Sequence, residues 1–262
     1  MNLDLTDKYA IVCGSTQGLG FASAVELALL GANVTLVARN EQKLKEAVAK
    51  LDSTLQQKHN YFGADFQFPE QVKSAIEKHL SLHPYVNILV NNTGGPKGGT
   101  ALDATTAEYL QAFNSHLVCN QILVQAVVPA MKASGYGRII NIISISVKQP
   151  IAGLGVSNTI RGAVASWSKT LATELGQFGI TVNNILPGYT KTSRLDSLIQ
   201  TRSEATGKSI DEIEKDFMSD IPLKRIGTAE EFGAAVAFLC SPAASYINGI
   251  NLPVDGGRLQ TL

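Results

Sequence analysis

Little in this chain suggests a metal site, a disulfide scaffold, a nucleic acid or a membrane. The three cysteines, Cys13, Cys119 and Cys240, are odd in number and far apart, which excludes the close pairs that hold zinc or staple a small secreted domain. They are expected to be reduced, buried thiols. Lys plus Arg equals Asp plus Glu at 22 each, so the formal net charge is zero, and no basic block offers a nucleic-acid surface. His79 and His83 have i, i+4 spacing, but no glutamate lies between them and Pro84 follows at once, so no metal is expected. No stretch approaches the ~18 uninterrupted apolar residues of a membrane-spanning helix. Residues 1–8 are acidic and carry no apolar h-region. A cytoplasmic location is expected. Solenoid-length repeats and low-complexity tracts are missing as well.

What is present is enough to bury one full core: 262 residues, 45% of them hydrophobic and 17% charged. Short β-branched runs alternate with amphipathic segments from end to end, the pattern of parallel strands joined by crossover helices. Strands are expected at 9–13, 33–38, 59–64, 86–91, 137–143, 180–186 and 250–254. Helices are expected at 21–30, 41–51, 70–80, 106–133, 159–177 and 229–240, where apolar residues recur near a 3.6 period. Runs such as Asn87-Ile88-Leu89-Val90 are apolar on both faces and belong in the middle of a sheet covered on both sides. The fold class is therefore α/β, a doubly wound, mostly parallel seven-stranded sheet of Rossmann type in one domain, residues 1–262. Residues 190–225 interrupt the rhythm. They are polar and strand-free, with scattered apolar residues (Leu195, Leu198, Ile199, Ile210, Ile213, Phe217, Met218) that suggest short helices forming a substrate lid.

Directly after the first strand comes Gly14-Ser15-Thr16-Gln17-Gly18-Leu19-Gly20, with a helix opening at its end. Glycine suits this place because the backbone must turn tightly, admit a pyrophosphate to the helix N-terminus, and let helix and strand pack closely. At the end of the second strand, where a carboxylate would hold the ribose of NAD, the chain has Ala38-Arg39-Asn40. A guanidinium there holds a 2'-phosphate with charge-assisted hydrogen bonds, so NADP(H) is favoured over NAD(H).

With these and later motifs, the chain resembles the classical short-chain dehydrogenase/reductase family over nearly its whole length, and most closely the branch of 3-oxoacyl-acyl-carrier-protein reductases. The resemblance rests on the glycine motif, Asp65, Asn91-Asn92-Thr93-Gly94, Ser144, Pro187-Gly188 with Thr190 and Thr192 close behind, and Asp255-Gly256-Gly257. It implies that Asp65 and Phe66 meet the adenine, that Asn91 to Gly94 line the cofactor groove, and that Pro187 to Thr192 hold the nicotinamide carboxamide. It also implies a homotetramer or homodimer acting on a small carbonyl or acyl substrate.

The same resemblance locates a departure. Ser144 matches the family serine that orients the carbonyl, but the family Tyr position is Ser157, the Lys position Arg161 and the Asn position His116. An aliphatic hydroxyl is a far weaker acid than a phenol of pKa ~10, and a guanidinium is a poor proton relay. Arg161 can still anchor ribose or negative charge. His116 ordinarily titrates in the physiological range and could feed a proton; a bond to a backbone carbonyl would instead make it structural. Ser157 and Arg161 share a helix face and could grip one anionic or carbonyl ligand, while Ser157-Asn158 equally resembles a helix N-terminal signal. Tyr189 is the one aromatic hydroxyl placed to replace the lost phenol, or else packs beneath the lid. Lys97, Lys148, Arg194 and Arg202 could meet an acidic substrate or simply be solvated. Two functions follow: an NADP(H)-dependent oxidoreductase, with a proton from His116, Tyr189 or water, or an NADP(H)-binding protein that has lost hydride transfer. A structural protein without nucleotide would leave these motifs idle.

Overall fold

The structure is a computed structural model that describes residues 1–261. Seven strands form one parallel sheet in the order β3-β2-β1-β4-β5-β6-β7: β1 (Tyr9–Cys13), β2 (Asn33–Ala38), β3 (Asn60–Gly63), β4 (Ile88–Asn91), β5 (Gly137–Ile142), β6 (Ile180–Pro187) and β7 (Asn251–Val254). The order reverses between β1 and β4, which opens a crevice beyond their carboxyl ends. β4 and β5 are buried along their whole length. Successive side chains go to opposite layers: Leu89 and Ile139 join one apolar cluster, Val90 and Ile140 the other. That is why these runs read as apolar on both faces.

Helices α1 (Gly18–Leu29), α2 (Glu41–Val48) and α9 (Ala229–Cys240) cover one face through Leu27, Leu44, Phe232 and Val236. Helices α3 (Pro69–Leu82), α5 (Cys119–Ser134) and α6 (Gly155–Leu175) cover the other through Ile76, Leu123, Val127 and Leu175. The three cysteines are free and buried, as expected.

The expected helix at 106–133 is in two parts. α4 (Thr106–Phe113) opens with a capping box in which Thr105 and Glu108 satisfy each other's amides, and it meets α5 through a π-helical turn, Asn114–Val118. Thr106–Ser134 is the one helix among the described residues long and apolar enough to cross a membrane; here Leu123, Val124, Val127 and Met131 are buried against the sheet. α6 begins four residues earlier than expected, at Gly155, which lies so close to Ala101 that a Cβ there would stand 2.4 Å from the Ala101 backbone. Leu154 occupies the cap without a side-chain bond. Ser157 is thus inside the first turn and not a cap. Asn158 ties the preceding loop instead, donating to the Ile151 carbonyl at 2.9 Å.

In the 190–225 excursion, α7 (Ser193–Thr206) and α8 (Ile210–Ser219) bury Leu195, Ile199, Ile213 and Phe217 in a small core of their own. Leu198 and Ile210 stay exposed.

Candidate active site

The carboxyl ends of the strands frame one groove of about 910 Å³. Its floor is the turn from β1 into α1. Gly14 and Gly18 adopt φ of 57° and 60°, the left-handed region that favours glycine. Gly20 lies beneath the turn, where a Cβ would come within 2.3 Å of the Gly14 carbonyl, so its role is close packing of helix on strand. Asn92 holds the same turn by donating to the carbonyls of Cys13 and Gly14 at 3.3 and 3.2 Å. α1 opens without a side-chain cap and its first residues, Gly18 and Leu19, line the groove, a helix start suited to phosphate.

Of the residues singled out in the sequence, Gly14, Thr16, Gln17, Gly18, Leu19, Arg39, Asp65, Phe66, Asn92, Thr93, Gly94, His116, Arg161, Pro187 and Thr192 line this groove. Ser15, Gly20, Asn91, Ser144, Ser157, Gly188 and Thr190 do not. Ser15 is fully buried; its hydroxyl donates to the Val12 carbonyl at 2.7 Å and accepts the Val37 amide at 3.0 Å, joining β1 to β2. Asn91 belongs to a ladder of amides in register across the sheet, donating to Asn141, which donates to Asn184, which donates to Asn251. Gly188 packs against Asp255, and Thr190 is buried beside it. Ser144 caps a single turn, Ile145–Val147, by accepting the Ser146 amide at 3.1 Å, which leaves its own hydroxyl hydrogen free.

The adenosine end carries a feature that the sequence did not single out. Asn40 caps α2 by accepting the Lys43 amide at 2.9 Å, and this places Lys43 beside Arg39, Thr16 and Gln17 in a side recess of the groove. Two exposed cations and a helix N-terminus converge there. Only folding of α2 brings Lys43 in, since from sequence it is one more lysine on a helix surface.

At the opposite end sit His116, Arg161 and Arg194. His116 lies in the π-helical turn, the irregularity that swings its ring inward. It is buried, and burial first, then the charges of Arg161 and Arg194, push its pKa down to about 2. A ring N–H donated to the Gly94 main chain opposes this without reversing it. The direction of this shift favours a neutral His116 imidazole over a protonated one near neutral pH. Arg161 is also buried, donates to the Ile142 carbonyl at 3.0 Å, and is lowered to about 10 by burial and then by Arg194, so it stays charged at neutral pH. Arg194, from the first turn of α7, reaches over Gly95. Neither guanidinium meets a carboxylate among the described residues, whose salt bridges are Lys208–Asp216 and Arg225–Glu231.

Tyr189 is turned away from this end. Its ring stacks on Phe217 at 4.3 Å and its hydroxyl accepts from Arg258 at 2.9 Å, so it packs beneath the lid and does not replace a catalytic phenol. Arg202 lies over the Phe217 ring, while Lys97 lines the groove. His79 and His83 pack ring against ring, and no group of metal-ligating side chains occurs among the described residues.

The enoyl-(acyl carrier protein) reductase family model matches residues 14–258. Dehydrogenase/reductase SDR family member 4 of Oryctolagus cuniculus is 32% identical over 262 residues, 98% of this chain and 96% of that protein. The 3-oxoacyl-[acyl-carrier-protein] reductase FabG of Chlamydia muridarum is 30% identical over 98% of this chain and 99% of its own. Among solved structures, L-sorbose reductase from Gluconobacter frateurii, complexed with NADPH and L-sorbose, superposes with a TM-score of 0.94 at 32% identity, with both chains fully covered. YwfH, an NADPH-dependent reductase involved in bacilysin biosynthesis, gives 0.92 at 26% identity over 98% of this chain and 100% of its own.

Proposed function

Because this chain belongs to the short-chain dehydrogenase/reductase family, we propose that it is an NADP(H)-dependent oxidoreductase that moves hydride between nicotinamide and a small carbonyl or alcohol substrate. The observation that carries the cofactor is the recess where Arg39 and Lys43 flank the N-terminus of α2, which fits a ribose 2'-phosphate and offers no carboxylate for a free 2'-hydroxyl. The turn from Gly14 to Leu19 fits the pyrophosphate, since Gly14, Thr16, Gln17, Gly18 and Leu19 line the groove at the start of α1 and Gly94 leaves open space where a side chain would intrude. Asp65 and Phe66 bound the adenine, and Thr93, Gly94, Pro187 and Thr192 the nicotinamide half.

A bound NADPH supplies a hydride for the carbonyl carbon. In this reading Ser144, which stands just outside the groove lining with its hydroxyl hydrogen unused among the described residues, turns inward to donate to the carbonyl oxygen as negative charge grows there. Arg161, fixed by Ile142, adds a permanent positive charge. The proton then comes from water in the open groove, because Ser157, Arg161 and His116 are not acids of suitable strength near neutral pH. Residues 190–225 act as the lid, with α7 and α8 moving as one unit around their own small core. The likeness to 3-oxoacyl-acyl-carrier-protein reductases makes 3-oxoacyl thioesters the first substrates to try.

That same lack of a matched acid favours a second reading, an NADP(H)-binding protein without hydride transfer that serves as sensor or scaffold. Oxidation of NADPH, followed at its nicotinamide absorbance with a panel of ketones and 3-oxoacyl thioesters beside a direct NADPH titration, separates the two. Turnover with any of them supports the enzyme; tight NADPH binding with no oxidation supports the sensor.

A further inference from the structure

The anionic parts of the cofactor have receptors of their own: Arg39 and Lys43 for the outlying phosphate, the amides at the start of α1 for the pyrophosphate. Two cations at the far end of the groove are then left over. Arg161 is only 8% exposed and lines the groove, yet its one hydrogen bond among the described residues is to the Ile142 carbonyl, which leaves the other donors of its five-donor fork unused by the described residues. Arg194 reaches in from the lid, its guanidinium so close to Gly95 that a Cβ there would lie 2.9 Å from it. The two guanidinium groups repel one another and both repel a proton on His116. A buried charge held beside a like charge is costly unless a counter-ion joins them. Nothing on the neighbouring walls supplies one, because the acidic lining residues, Asp65 and Glu108, are committed elsewhere: Asp65 accepts the Gln67 amide and Glu108 is held in the Thr105 capping box.

We propose that Arg161 and Arg194 form a seat for an oxyanion on the substrate, a carboxylate or a phosphate, which closes the lid as it binds. This deepens the oxidoreductase reading and rests on it. A fixed fork from α6 and a second from α7 can each grip one side of the anion, which explains why an arginine suits position 161 better than a lysine. Closure follows because one fork belongs to α6, which packs on the sheet, and the other to the lid. Neutral His116 lines the same groove and can serve as a donor or acceptor to the same group.

The test uses full-length protein and matched probes: acetoacetate against its methyl ester, and dihydroxyacetone phosphate against dihydroxyacetone. Each is titrated calorimetrically at saturating NADPH and again without it, while NMR follows the His116 ring. We expect one charged member of a pair to bind at least about tenfold tighter than its neutral twin, as charge-assisted bonds allow. The acid pair and the phosphate pair distinguish the two oxyanions. The exposed variant Arg194→Gln should erase the preference, Arg194→Lys should restore part of it, and neither should alter the NADPH affinity. Equal binding of charged and neutral probes overturns the proposal, as does an Arg194→Gln variant that weakens NADPH while the preference persists. Loss of NADPH binding by the unaltered protein would instead overturn the cofactor reading, and the titrations without cofactor would still judge the seat.

Discussion

His116 and Arg161 face one groove as a neutral imidazole and a charged guanidinium, and the charge of the second helps keep the first unprotonated. On the proposed reading, the site trades acid–base capacity for fixed positive charge. In a family whose chemistry places a proton donor at this end, the trade moves the burden of catalysis, or of binding, onto electrostatics.

The depressed pKa of His116 has a consequence for stability. Its folded value, about 2, lies below the ordinary 6.5, so between those values the unfolded chain binds a proton that the folded one refuses. Stability is then fully present above the unfolded pKa and falls as pH drops below it, by about 1.4 kcal/mol per pH unit for one such group. His79, lowered to about 4 by burial and then by His83, adds to the loss over the upper part of that window. Replacing His116 by Gln should remove one proton's share of the slope. Urea denaturation at about pH 6 and about pH 5 checks this through the linkage relation; an unchanged slope would mean that the ring is protonated in the folded state.

Arg39→Glu should reverse the choice of cofactor. The guanidinium and Lys43 lie together in the side recess, and a carboxylate in their midst repels a 2'-phosphate while accepting a hydroxyl. Charge-assisted hydrogen bonds of about 1.5–3 kcal/mol predict a loss of roughly 10- to 100-fold in NADPH affinity. NADH affinity should hold or rise. Lys43→Gln should produce a smaller change of the same sign. Fluorescence titration with both nucleotides decides it.

Gly20, packed beneath the groove, and Gly94, which lines it, should respond differently to alanine. At Gly20 a Cβ would sit 2.3 Å from the Gly14 carbonyl and 2.9 Å from that of Cys13, both backbone, so Gly20→Ala should destabilise the fold by about 1–3 kcal/mol and weaken NADPH with it. At Gly94 nothing lies within 4 Å. Gly94→Ala should leave thermal stability unchanged while its methyl, projecting into the cofactor's space, weakens NADPH. Calorimetric melting with and without NADPH separates the two effects, and a destabilised Gly94→Ala would show that the groove does not stay open at that point.

The sheet and its rim were legible because each depends on short-range chemistry. Apolar runs such as 88–90 have one burial solution, and Gly14, Gly18 and Arg39 sit at strand ends where the chain itself announces a turn. Side-chain direction was not legible in the same way. Ser15 and Gly188 stand in motif positions but point into packing. The π-helical turn at His116 leaves no mark, since one extra residue in a helix preserves its apolar composition while rotating the face that follows. Ser157-Asn158 resembled a helix start, but α6 already begins at Gly155, close against Ala101. Lys43 and Arg194 reach the groove from elements whose placement is tertiary, beyond what periodicity can express.

The double variant Ser157→Tyr with Arg161→Lys asks whether the chemistry can be returned to the scaffold. Both positions lie on α6, one turn apart, so the new phenol and ammonium would stand in the relation that lets a lysine lower a tyrosine's pKa. A placed general acid is worth about 10²–10⁴-fold in rate, so turnover of neutral ketones should rise toward that range. The fold should tolerate the change, because Ser157 is half-buried and the introduced ammonium keeps a positive charge near the Ile142 carbonyl that Arg161 now meets. Turnover of an oxyanionic substrate should fall at the same time, since an ammonium offers no fork to pair with Arg194. Steady-state kinetics on one neutral and one charged ketone read both changes together. A fall with both substrates would show that Ser157 and Arg161 themselves take part in hydride transfer, and that water does not complete the reaction alone.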